Sequence, residues 1–262
     1  MEKAKMTLKY LRYYFTSKTN HSIHSPFIFE LLTEIIQDKT PFYAYKNIEK
    51  IRNHLMSNDT AIQVTDLGAG SKLKIGSAKR KISDIAKHAA IKPKYGQLLF
   101  RLANRFKPNT ILELGTSLGI GTMYLASTDK NTKVVTMECC PNTSVVAQNN
   151  FKKLNLKNIE LIRGNLDETL AMVLEKVNQL DFAFFDGNHQ KKPTQNYFEQ
   201  CLAKAHNDSV FVFDDIHWSE GMEQAWKAIK SNEKVTITVD LFSMGLVFFR
   251  KEQKKEDFVL RF

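Results

Sequence analysis

The groups in this chain best suited to chemistry are five carboxylates at the ends of apolar runs, and two histidines just behind them. Glu113 follows TIL, Glu138 follows KVVTM, Asp186 follows LDFAFF, and the pair Asp214 and Asp215 follows VFVF. If these runs are strands of one parallel sheet, ligands bind at their carboxyl ends and all five acids share one rim. An acid in the position of Glu138, about 20 residues beyond a glycine loop, suits the two hydroxyls of a ribose. His189 lies three residues after Asp186 in DGNHQ. Its ordinary pKa leaves a large neutral fraction at neutral pH, ready to accept a hydroxyl proton. A histidine that only hydrogen-bonds its own loop is the alternative. His217, in DDIHW, is a second candidate as base, metal ligand or substrate contact beside Trp218.

Two glycine loops compete to cradle a nucleotide: VTDLGAGSKLKIGSAKRK from Val64 and TILELGTSLGIGTMYLAS from Thr110. The first runs into lysines and serines that supply no apolar helix face, so it reads as a basic loop. Its DLGAGS is then a coincidental match, with a basic flap over an anionic substrate as its functional alternative. The second continues into IGTMYLAS, whose Ile120, Met123 and Tyr124 can pack on a sheet at helical spacing, which makes it a βα unit.

The elements that position these groups follow from alternation. IELIRG, a helix from Asp167, LDFAFFD, a helix from Pro193, VFVFDD and a helix from Ser219 succeed one another with short joins, which specifies a parallel sheet covered on both faces. The close of the chain differs. VTITVDLF and GLVFFR are too near each other for a crossover, so they must run antiparallel. Residues 1–92 read as a helical accessory segment with a basic loop. Ser25 and Pro26 start a helix there, Phe27, Phe29, Leu31 and Leu32 pack on the core, and His21 and His24 are polar loop residues. Residues 252–262 read as a basic tail.

With 262 residues, 43% of them hydrophobic, the chain can bury one sizeable core. No apolar run reaches the roughly 18 residues of a membrane span, and no signal peptide opens the chain, so the expected setting is the cytoplasm with no membrane partner. Cys139, Cys140 and Cys201 fit neither a disulfide framework nor a zinc motif. The net charge of +10 invites a nucleic-acid partner. However, the cluster Lys72, Lys74, Lys79, Arg80 and Lys81 lacks interleaved aromatics and reads as solvated surface.

A parallel sheet closed by a reversed hairpin strand resembles the class I methyltransferase fold, which binds S-adenosylmethionine. From Gly96 to Met222 the chain is similar to the catechol and caffeoyl-CoA O-methyltransferases: GQLLFRLA resembles their entry helix, and E-L-G-T-S-L-G-I-G-T keeps their wider glycine spacing. The resemblance implies an α/β fold, Rossmann-like and doubly wound, with a mostly parallel seven-stranded sheet and an antiparallel last strand. It places Glu113, Gly115, Thr116, Ser117 and Gly119 at the cofactor loop, Glu138 on the ribose, and Asn165 with Leu166 near adenine. Asp186 falls between cofactor and acceptor. The same resemblance assigns Asp186, Asp214 and Asp215 to a divalent cation, for which magnesium is the suited ion.

The departures are specific. Gly121 stands where the family often has serine, which passes contact with the cofactor carboxylate to Thr122 or to backbone amides. Asp215 replaces a usual asparagine, and His189 stands where catechol-type enzymes carry a lysine. The CysCysPro at 139–141 is read as turn chemistry, and no Asn- or Asp-Pro-Pro-aromatic grip for an amine is present. The resulting expectation is O-methylation of a small hydroxylated acceptor, with or without a metal. RNA methylation and a silent S-adenosylmethionine-binding module are the alternatives. The N-terminal segment is expected to act as a substrate lid or a homodimer contact.

Overall fold

The computed structural model describes residues 2–19, 23–65 and 77–262. The first glycine loop, DLGAGS, together with His21, Lys72 and Lys74, lies outside the described residues.

Strands rich in aromatic and β-branched residues take the centre of the sheet, because both faces there are covered. β3 (Thr110–Leu114), β6 (Phe182–Phe185) and β7 (Val210–Asp214) are buried almost throughout. β5 (Ile159–Arg163), with IELIR, keeps a half-exposed pattern and forms an edge. With β4 (Lys133–Glu138), β8 (Ile237–Asp240), β9 (Met244–Phe248) and β10 (Glu256–Val259), the order is β10-β8-β9-β7-β6-β3-β4-β5. β9 is antiparallel to both β7 and β8, and every other pair in this sheet is parallel. The reversed hairpin is therefore as the short join required.

The eighth strand is not in the sequence reading. Residues expected as a basic tail instead add β10 along β8, because Phe258 and Leu260 alternate inward and are buried. Tyr13 locks this edge from the N-terminal helix α1 (Glu2–Thr16): its hydroxyl donates to the Leu260 carbonyl at 2.6 Å and accepts from Phe262 N at 3.0 Å.

The remaining helices layer the sheet. α5 (Pro93–Phe106), α6 (Ile120–Ala126) and α7 (Pro141–Lys153) contribute to one core, and α8 (Leu166–Glu175), α9 (Lys191–Leu202) and α10 (Glu220–Ser231) to the other. Gly96 allows α5 and α6 to touch: a Cβ there would stand 2.4 Å from the Tyr124 ring.

The accessory segment covers the first core. α2 (Pro26–Glu30) opens on Ser25, whose Oγ accepts from Ile28 N, and continues as a π-helix over Leu31–Ile36. Arg101, 6% exposed, donates to the carbonyls of Ile35 and Ile36, which the end of that helix leaves without partners. Phe29 does not join the core as expected. It is 46% exposed, and Ile28 is buried in its stead. After α3 (Tyr43–Met56) the segment is not purely helical: β1 (Ala61–Thr65) pairs antiparallel with β2 (Ser77–Lys81) before α4 (Ile82–His88). Part of the expected basic loop is thus strand, and the run before DLGAGS enters a hairpin rather than a βα unit.

Candidate active site

A cavity of about 260 Å3 opens at the carboxyl ends of β3, β4 and β6. Gly115, Ser117, Glu138, Asn165, Leu166, Asp186 and His189 border it, so the second glycine loop and three successive strand ends do converge.

Glycine is required at the turn. Gly115 has φ +106°, and a Cβ on it would fall 2.3 Å from the Asp186 carbonyl oxygen. Glu138, at the tip of β4, accepts from Ser117 N at 2.7 Å and from Cys140 N at 2.8 Å. Burial raises its pKa, against the lowering effect of those amides. Oε2, with one such bond, still has a lone pair for a hydroxyl donor. Asn165 caps α8 by accepting from Asp167 N at 3.1 Å. The Asn188 Oδ1 is buried beside the cavity without a hydrogen-bond partner among the described residues, so it can accept from a ligand. These donors and acceptors fit an adenosine-like group.

Four expected cofactor contacts stand behind the wall rather than on it. Glu113 is 1% exposed and receives the Thr122 hydroxyl and, at 2.6 Å, the Thr136 hydroxyl. Burial pushes its pKa up to about 8, despite those two hydrogen bonds. Thr122 is therefore committed to Glu113 and does not take over a cofactor contact. The reason Gly121 is not serine is local, because a Cβ there would lie 2.8 Å from Glu113 Oε1. Thr116 meets Thr136 at 2.5 Å and is buried. Gly119, with φ +80°, packs under Phe151 at the start of α6. These residues hold the loop from beneath.

The acceptor side is built from the β6 and β7 ends. His189 Nε2 stands 3.4 Å from Asp186 Oδ1, and its ring meets Trp218 edge-on at 6.2 Å. Asn188 and His189 both take left-handed backbone, φ 70° and 42°, which tightens the turn after Asp186. Burial, then the nearby Asp186 and Asp215 charges, raise the Asp214 pKa well above the carboxylate range. Burial also raises that of Asp215, whereas His189 and Lys92 work to lower it.

These three carboxylates do not fit the metal expected of them. Among the described residues no three His, Cys, Asp or Glu side chains are grouped to hold an ion.

His217 is also reassigned. Its Nδ1 lies 3.1 Å from Glu223 and its Nε2 2.7 Å from Asp240, with Phe242 stacked on the ring at 5.6 Å. Burial opposes its charge, but the hydrogen bonds and charges of Asp240 and Glu223 outweigh that and raise its pKa. Both nitrogens are occupied in joining the β7 loop to β8 and α10, which leaves His189 as the base candidate.

Sequence reasoning missed Asn188, Tyr197 and the hairpin residues Val64, Thr65 and Arg80, all on the cavity wall. Asn188 sits inside the DGNHQ already singled out. Tyr197 carries no local motif, whereas Val64, Thr65 and Arg80 belong to the stretch read as a coincidental match and solvated surface. Cys139 and Cys140 are free thiols, and Cys140 stands just before α7 without a side-chain capping bond.

Residues 112–216 match a family model described as a methyltransferase domain. Catechol O-methyltransferase of Niastella koreensis is 28% identical over 130 residues, which cover 48% of this chain and 58% of that protein. Catechol O-methyltransferase of Mycobacterium tuberculosis is 26% identical over 129 residues, 48% of this chain and 57% of that protein. The chain thus spans a little over half the length of these relatives. The fold is shared with the Streptomyces achromogenes O-methyltransferase TomG in complex with SAM, at TM-score 0.55 and 20% identity, over 62% of this chain and 82% of that one. It is also shared with a Bacillus cereus O-methyltransferase in complex with SAH, at TM-score 0.55 and 19% identity, over 84% and 96%. Strand order and reversed strand thus agree with the class I methyltransferase fold, within which residues 112–216 match a methyltransferase domain.

Proposed function

We propose that the protein transfers the methyl group of S-adenosylmethionine to the hydroxyl oxygen of a small acceptor. The observation that supports this reading is that Glu138 and His189 line one cavity, together with Gly115 and Asp186. Glu138 would hold the ribose hydroxyls, and Asn188 Oδ1 would accept one further hydrogen bond from the nucleoside.

In-line displacement chiefly requires alignment. The acceptor oxygen forms its bond to the methyl carbon as the carbon–sulfur bond breaks, and the sulfonium becomes a neutral thioether. The hydroxyl proton passes to a ring nitrogen of His189. Asp186, 3.4 Å away, stabilises the imidazolium that results. Trp218, 43% exposed beside His189, offers an apolar face to the acceptor.

Calorimetric titration with S-adenosylhomocysteine, followed by turnover on a panel of phenols, sugars and nucleosides, tests the proposal. Binding together with a methyl ether product supports it. Binding of NAD with none of S-adenosylhomocysteine overturns it.

A further inference from the structure

We infer that Asp167 and Tyr197 are positioning residues for the cofactor: they turn the Asn188 amide so that its oxygen is left for the ligand, where it accepts from the exocyclic amine of adenine. This inference rests on the proposed S-adenosylmethionine site. It adds the part of the base that is read and the two residues that govern the reading.

Side chains from three elements form one chain of hydrogen bonds. Tyr197, on α9 and 1% exposed, donates its hydroxyl at 2.6 Å to Oδ1 of Asp167, in the first turn of α8. Asn188, in the turn after β6, donates through Nδ2 to the same hydroxyl at 3.1 Å. The directions follow from the protons available. A carboxylate only accepts, so Tyr197 gives its one proton to Asp167. The phenol oxygen then has lone pairs alone to offer, so Asn188 must turn its NH2 group toward it. Burial, and then the Asp167 bond, raise the Tyr197 pKa, so the phenol keeps its proton.

With Nδ2 committed, Oδ1 points the other way on the planar amide. Asn188 borders the cavity, and its Oδ1 is buried without a hydrogen-bond partner among the described residues. A buried acceptor without a donor is costly, so a donor that arrives with the ligand accounts for its place. Asn188 also holds left-handed backbone, φ 70°, which asparagine tolerates better than most residues.

Chemistry and place select the donor. The nucleoside offers its ribose hydroxyls and its 6-amino group, and Glu138 is the group proposed for the hydroxyls, which leaves the amine. Asn188 also stands on the Leu166 side of the cavity. A Cβ on the preceding Gly187 would lie 2.9 Å from Leu166 Cδ1, and Asn165 and Leu166 line the same cavity. These are the residues that the family resemblance sets near adenine. An amide held in this way accepts from the base and does not donate to it, so it separates a 6-amino purine from a 6-oxo purine.

The test uses the full chain and two ligands, S-adenosylhomocysteine and its 6-oxo analogue S-inosylhomocysteine. Each is titrated by calorimetry into the wild type, Asp167→Asn and Tyr197→Phe, with circular dichroism as a check on folding. Both ligands share the ribose and the amino-acid arm, so their affinity ratio reads the base alone. The wild type should favour the adenosyl ligand about tenfold or more, because the 6-oxo group leaves Oδ1 unpaired. Asp167 is exposed and does not border the cavity, so Asp167→Asn leaves the lining intact. Its new amide can donate to the phenol oxygen, which frees the phenol proton for Oδ1 and lets the Asn188 amide turn over. The preference for the adenosyl ligand should then vanish or reverse. Tyr197→Phe releases the amide and should bring the two affinities to within about threefold of each other. A purely structural role would weaken both ligands alike and leave the ratio unchanged. A wild type that does not prefer the adenosyl ligand, or either folded variant keeping the wild-type ratio, overturns this inference while leaving the methyltransferase reading intact. A wild type that binds neither ligand overturns both.

Discussion

The backbone N–H of Ser117 donates to Glu138 Oε2 at 2.7 Å, tying the glycine loop after β3 to the tip of β4. That bond makes Glu138 a brace for the loop as well as the proposed ribose contact. Glu138→Gln keeps the shape but loses the charge-assisted bonds, each of which contributes about 1.5–3 kcal/mol. S-adenosylhomocysteine affinity should fall at least tenfold by calorimetry, and unchanged affinity would remove Glu138 from the site.

His189→Asn should lower kcat by about 100- to 10,000-fold, the usual share of a positioned general base, and leave cofactor affinity nearly untouched. The residual rate should rise with pH as the acceptor ionises without help. His217→Asn should act differently, loosening the contact of the β7 loop with Asp240 and Glu223 and lowering the melting temperature. Rate loss in His217→Asn with stability unchanged would reverse the two assignments.

Glu113 gives stability a pH dependence whose sign is fixed by burial. Its pKa rises from an ordinary 4.5 to about 8 in the folded chain. Below the lower value both states hold the proton, and the group's full stabilising contribution is present. As pH rises toward the upper value the unfolded chain releases a proton that the folded chain keeps, so stability falls by up to about 1.4 kcal/mol per pH unit. Glu113→Gln should remove this component, which urea denaturation across that window would reveal as a flatter profile. Parallel profiles for the two proteins would show that Glu113 is ionised in the fold.

Tyr13→Phe should cost about 1–3 kcal/mol, because the buried Leu260 carbonyl loses its donor and Phe262 N its acceptor. Hydrogen exchange should speed first in β10, which that hydroxyl fastens. Uniform acceleration across the sheet would contradict a local role.

Methyl transfer should survive exhaustive chelation, since among the described residues no three His, Cys, Asp or Glu side chains are grouped to hold an ion. Activity lost to chelator and restored by magnesium would mean that Asp186, Asp214 and Asp215 rearrange on binding.

The central sheet was legible because TILEL, FAFF and VFVFD are apolar enough to be buried on both faces, and because a short join forces β9 to reverse. β10 escaped notice since KKEDFVLRF looks charged, whereas an edge strand needs only Phe258 and Leu260 turned inward. β2, with SAKRK, has no strand pattern of its own. Pairing with β1, which itself rests on the Cys139–Cys140 turn, makes it a strand, and such tertiary context leaves no local trace. In the site, the carboxylates were found by their place after apolar runs. That Glu113 would be enclosed by Thr122 and Thr136 was not, because these hydroxyls arrive from different elements.

A crystal structure with S-adenosylhomocysteine tests the account most directly. The account predicts ribose hydroxyls within hydrogen-bond reach of Glu138 and the sulfur facing the space between Asp186 and His189. Ligand density away from Glu138, or a sulfur turned from His189, would contradict it.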